Sequence, residues 1–139
     1  MSVFQAMNIS ATGLTAERLR MDVVAGNIAN ANTTRTEDGG AYRRKVAVFE
    51  EYISQAKGSS KRKVGGVLAQ EIVEDPSEME LVYNPTHPDA DENGYVEMPN
   101  VDLLTEMTDL MVATRSYEAN VTAMNASKGM YVKALEIGK

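Results

Sequence analysis

The chain has 139 residues and a mass of 15.2 kDa, enough for one small domain with extended arms and too little for a second full-sized fold. Hydrophobic residues make up 43% and charged residues 24%, the balance of an ordered protein rather than a disordered one. Fourteen basic against twenty acidic side chains leave a net charge of −6, a poor match for nucleic acid or anionic lipid, so the expected partners are proteins.

There is no cysteine, which removes disulfides, thiolate metal sites and cysteine nucleophiles together. His87 is the one imidazole, so a histidine-based metal centre or Ser-His chemistry has little to be built from. No catalytic residue, cofactor or metal site is expected. No stretch is long and apolar enough to span a membrane, and Met1 to Met7 lacks the basic region and apolar core of a cleavable secretory signal.

Proline and glycine divide the chain into residues 1–34, 35–99 and 100–139. All four prolines fall in the middle part, so long helices belong to the two ends. Charge follows the same division: the first part is neutral and the last carries one excess negative charge, while the middle holds eight basic and thirteen acidic side chains.

In residues 1–34, Met7, Leu14, Met21 and Ile28 recur every seven residues, the mark of a helix burying one seam. Its end is rich in asparagine, with Asn27, Asn30 and Asn32 in succession. Asparagine is a mediocre helix former, so these amides serve either termination and capping or contacts that fix register between subunits.

The middle part reads as short strands and loops. Residues 42–51 carry Val46, Val48 and Phe49, residues 67–73 form a β-branched run, and Met79, Leu81 and Tyr83 alternate, giving a small antiparallel β region. Lys57, Lys61, Arg62 and Lys63 cluster around Gly58-Ser59-Ser60 and read as a hairpin tip or a contact with an acidic subunit. Residues 89–100 open like an EF-hand calcium loop at Asp89, Asp91, Asn93 and Gly94, but Asn100 stands where the bidentate glutamate belongs and Pro85 and Pro88 replace the entering helix. A solvated acidic turn is the simpler reading.

In residues 100–139, Leu103, Leu110, Tyr117, Met124 and Tyr131 are spaced by seven, with Met107, Val121 and Leu135 interleaved on the same seam. Asn100 or Asp102 is placed to cap this helix. A second apolar row, Leu104, Met111 and Val132, lies on a neighbouring face that one partner helix does not cover. The expected fold is therefore mainly α with a small β insert, the two terminal helices pairing as an antiparallel, coiled-coil-like hairpin. Pairing is expected through Met7, Leu14, Met21 and Ile28 against Leu103, Met107, Leu110, Tyr117, Val121, Met124, Tyr131 and Leu135. Contacts between subunits are expected at Asn27, Asn30, Leu104 and Asn120. Alternative readings are a self-contained helical-bundle adaptor and a calcium-binding module.

Both ends also carry a resemblance. Thr12-Gly13-Leu14, the run from Arg20 to Thr34, and Gly40-Ala41-Tyr42-Arg43-Arg44 resemble the N-terminal signature of bacterial flagellar rod and hook proteins. Asn100-Val101-Asp102, Glu106-Met107 and the run from Ala113 to Asn120 resemble the matching C-terminal signature. The motifs His87-Pro88-Asp89-Ala90, Gly94-Tyr95-Val96 and Pro99-Asn100-Val101, in so short a chain, are similar to a proximal member of the rod. The resemblance implies an axial structural protein of the basal body, exported without a cleaved signal through the flagellar type III channel. It implies as partners other copies of the chain, sibling rod proteins and the adaptor joining rod to membrane ring.

Overall fold

The computed structural model describes residues 3–37, 39–51, 54–55 and 63–138. Two long helices hold the ends: α1, Val3–Ala29, and α2, Leu103–Ile137. Between them lie β1 (Lys45–Glu51), β2 (Ser54–Gln55), β3 (Lys63–Val64), β4 (Val67–Glu74), β5 (Glu80–Tyr83) and β6 (Tyr95–Met98). This is the mainly α architecture with a small β insert that the periodicities imply. The basic residues Lys57, Lys61 and Arg62 lie outside the described residues.

The helices start and stop where local chemistry dictates. Asp102 caps α2 from an extended conformation, its carboxylate accepting from the Leu104 amide at 3.2 Å and from the Thr105 hydroxyl. Those donors hold the Asp102 carboxyl below its ordinary pKa. Asn30 closes α1: its side-chain amide and its backbone amide both donate to the Gly26 carbonyl, at 2.9 and 3.1 Å, so the last turn is held by two donors on one acceptor. The chain then turns sharply at Gly39 and Gly40, both at positive φ, a conformation glycine adopts without steric cost.

The helices pair antiparallel. Asn27 meets Glu106, Met21 meets Thr114, Gly13 lies under Asn120 and the Phe4 ring stacks edge-on against Tyr131 at 5.2 Å. A Cβ added at Gly13 would sit 2.9 Å from the Asn120 amide nitrogen, so the missing side chain is what lets the helices approach there. The most enclosed side chains of the pair are mostly small, namely Ser10, Ala16, Val24, Ala113 and Ser127. Close backbone approach, rather than large interlocking knobs, sets the seam.

The strands form three two-stranded antiparallel ribbons, β1–β4, β2–β3 and β5–β6. The β1–β4 ribbon, bulged between Val48 and Phe49, runs back along α1. The Arg20 guanidinium covers the Phe49 ring at 5.2 Å, and the Val67 amide donates to the Thr12 hydroxyl at 3.2 Å. The β5–β6 ribbon is anchored by Val96, 2% exposed, and returns the chain through the buried Pro99 to α2.

Candidate functional site

The most concentrated chemistry in the chain is a polar knot where α1, α2 and the insert meet. Glu106, in the first turn of α2, is wholly buried. Its Oε1 accepts from Arg44 Nε at 2.6 Å and its Oε2 from Asn27 Nδ2 at 3.0 Å. Arg44 also reaches Asp75 at 3.2 Å and Asp109 at 3.6 Å. Burial pulls the Arg44 pKa down, but hydrogen bonds and charge from Glu106 and Asp75 outweigh it and raise it, so the cation is held.

Asn27, also wholly enclosed, is saturated. Its Nδ2 donates to the Lys45 carbonyl at 2.8 Å as well as to Glu106, while its Oδ1 accepts from the Lys45 amide at 2.9 Å and the Tyr42 hydroxyl at 3.0 Å. Burial, followed by the charges of Glu106 and Glu74, pushes the Tyr42 phenol up, keeping it a donor. Asn100 finishes the join: its Oδ1 accepts from the Arg44 amide at 2.8 Å and its Nδ2 donates to Ser77 Oγ at 2.7 Å. Buried polar groups are costly unless satisfied, and each group here has a partner of opposite kind. The knot fixes the angle between helix pair and insert.

Several expected site residues sit elsewhere than the sequence suggested. Asn27, expected between subunits, is spent inside its own chain, because its amide is the shape that bridges a strand edge and a buried carboxylate. Asn30 is spent on capping α1, and Asn120 packs against Gly13. Leu104 is 74% exposed. Met7, Leu14, Met21 and Ile28 on α1, and Leu110, Tyr117, Val121 and Met124 on α2, are half-buried. Tyr131 touches Phe4 but keeps an open face. Leu103, Met107 and Leu135, expected on the pairing seam, are half or more exposed. Leu103 precedes the Asn27–Glu106 contact and Leu135 follows the Phe4–Tyr131 contact, so both overhang α1, while Met107 is turned about 100° from the buried Glu106.

The roles of Arg44, Tyr42 and Glu106 were not legible from periodicity, although all three fall within the end signatures. Leu103, Leu104, Met107, Met111 and Val112 form an apolar surface along the first turns of α2, and near its end Met130 and Ile137 are exposed on one side and Val132 and Leu135 on the other. Among the described residues no group of three or more His, Asp or Glu side chains is placed to hold a metal ion, and no helix is long and apolar enough to cross a membrane. In the acidic turn, Asp91 Oδ1 accepts from the Asn93 and Tyr95 amides, while Asp89 accepts from the Thr34 hydroxyl and faces Arg35.

Two long terminal helices knotted to a small outer insert, with one helix left apolar on its outside, define a subunit made to be packed among others. The ends bear out the class: residues 7–35 match the family described as flagella basal body rod protein, and residues 92–137 match the C-terminal part of the flagellar basal body rod FlgEFG proteins. Over the whole of both chains, the sequence is 50% identical to the flagellar basal-body rod protein FlgC of Bacillus subtilis and 40% identical to that of Salmonella typhimurium. It is 45% identical to the FlgC of Borreliella burgdorferi over 99% of this chain and 98% of the relative. The chain belongs to the flagellar basal-body rod protein family, among its FlgC members, and is a structural subunit without enzymatic activity. Neither the calcium module nor the free-standing adaptor is favoured.

Proposed function

We propose that the chain forms part of the wall of the basal-body rod, a tubular shaft that transmits torque and encloses the export channel. Residues 1–34 and 100–139 supply its helical core and residues 35–99 an outward β insert. The carrying observation is the uncovered apolar surface of α2. That helix has 35 residues, about 52 Å at 1.5 Å per residue, against 27 residues in α1, so it overhangs α1. Leu104, Met111 and Ile137 are 74, 64 and 86% exposed. Apolar surface so arranged along one helix is the mark of an interaction site.

In this reading the subunit packs against other copies and sibling rod proteins through coiled-coil-like contacts, using different patches on the two partners, so the array grows helically. Localisation to the rod, export through the type III channel without a cleaved signal, and contact with the adaptor to the membrane ring belong to the same proposal. The end signatures shared with rod proteins support it. The test is incorporation into basal bodies. Met111→Asp and Leu104→Asp should each abolish incorporation while leaving the chain's helicity intact, because both side chains lie outside the helix pair. Incorporation of both variants at the normal level would refute the helical-face assignment.

A further inference from the structure

The β5–β6 ribbon has one face with nothing over it. Cross-strand pairing sets Leu81 against Glu97 and Tyr83 against Tyr95 on that face, while Val82 and Val96 point the other way. Leu81 and Tyr83 are each 64% exposed and Tyr95 is 44% exposed. Between this face and the 34–41 turn runs an open groove of about 640 Å³, with Leu81 and Tyr95 as apolar lining and Asp89, Asp91, Glu97 and Arg35 around them. Three carboxylates stand against one guanidinium, and Arg35 is already paired with Asp89. Glu97 makes no ion pair among the described residues.

An apolar floor with a negative rim suits long basic side chains, whose methylene stems lie on Leu and Tyr while their charged heads reach the carboxylates. The densest basic stretch in the sequence is Lys57, Lys61, Arg62 and Lys63. It cannot serve its own groove. The Val67–Thr12 bond fixes the neighbouring strand end beside Thr12, seventeen residues of helix, or about 25 Å, short of the end of α1, and the groove lies past that end. The six residues from Val67 back to Lys61 span about 20 Å at full extension, less than that distance.

We propose that this groove takes the basic 57–63 segment of a second copy of the chain. The chain enters and leaves this segment from Glu51 and Val67, paired beside Thr12, and the groove is a different patch, so the contact is heterologous and repeats head to tail. The proposal rests on the reading of the chain as a polymerising subunit and names a contact that reading leaves open.

The chain has no cysteine, so disulfide trapping starts from a clean background. Full-length Ser60→Cys and Ala90→Cys chains, mixed and oxidised at low salt, should give a mixed dimer in excess of a Ser60→Cys and Thr122→Cys control. Glu97→Lys on the groove, or Lys61→Glu with Arg62→Glu on the segment, should each lower the yield about tenfold, and combining the two reversed partners should restore it. Yields equal to the control, yields indifferent to the reversals, or an intrachain disulfide in a chain carrying both cysteines would overturn the proposal. So would loss of incorporation in Glu97→Lys without any trapped dimer, since the groove would then serve a different basic partner. Normal incorporation of both Met111→Asp and Leu104→Asp would instead sink the helical-face reading and leave the trapping result standing.

Discussion

Replacing Glu106 by glutamine changes the least in shape and the most in chemistry. The carboxylate sits between two donors, Arg44 Nε on one oxygen and Asn27 Nδ2 on the other. A glutamine amide has a single oxygen, so its NH₂ must face one of them. Turning the oxygen to Arg44 sets NH₂ against NH₂ at Asn27. Asn27 cannot flip to accommodate it, because its oxygen already holds the Lys45 amide and the Tyr42 hydroxyl, and its NH₂ holds the Lys45 carbonyl. The variant therefore loses a charge-assisted bond, about 1.5–3 kcal/mol, and strands a buried donor, about 1–3 kcal/mol. Relief of the cost of burying a charge returns part of this, leaving a net loss of about 3 kcal/mol. Urea denaturation of the full chain followed by circular dichroism measures the change directly. A loss below about 1 kcal/mol would show that the knot does not hold the subunit together, and the same result in Asn27→Ala would remove the saturation argument as well.

Glycine substitutions should separate close approach from helix propensity. Gly26→Ala, with nothing within 4 Å of the new Cβ, should stabilise the isolated chain by about 0.5–1 kcal/mol in the same assay, whereas Gly13→Ala should gain nothing until Asn120→Ala clears the space. Asn30→Ala should cost about 1 kcal/mol and increase amide exchange in the last turn of α1, because the Gly26 carbonyl loses its side-chain donor. The Asp75 and Asp102 carboxyls are held low, chiefly by Ser77 and by Thr105 with Leu104 respectively. Their contribution is complete above the ordinary aspartate value near pH 4 and is lost as pH falls through the lowered values, so Asp75→Asn/Asp102→Asn should flatten the acid limb of a stability titration. Tyr42 is shifted upward, so its contribution is complete below about pH 10 and is lost as pH rises through the raised value; Tyr42→Phe should flatten the alkaline limb.

The two helices were legible because a sevenfold apolar repeat is a local property that survives without knowing the partner. The β ribbons were legible as strands from alternation at Leu81 and Tyr83, but their separation into three pairs was not, since pairing is a non-local choice. The seam was misplaced at Leu103 and Leu135 because periodicity reports which face is apolar and not where the partner helix ends. Asn27 was assigned to a neighbour because a sequence shows an amide without showing what stands beside it. Arg44 and Glu106, sixty-two positions apart, could not be joined on the page by spacing alone; that both lie inside motifs marking the two ends was the one signal available.

Asn27 and Glu106 are separated by 79 positions along the chain. Bringing such distant points together costs roughly 4 kcal/mol of loop entropy, more than the nearer bonds of Asn27 to Lys45 and Tyr42 must meet. A polypeptide that has emerged only as far as residue 100 holds a strand edge and an amide but no carboxylate to close them. A truncated copy thereby lacks the last stitch: its insert is held to α1 alone, without the carboxylate that ties both to the second helix.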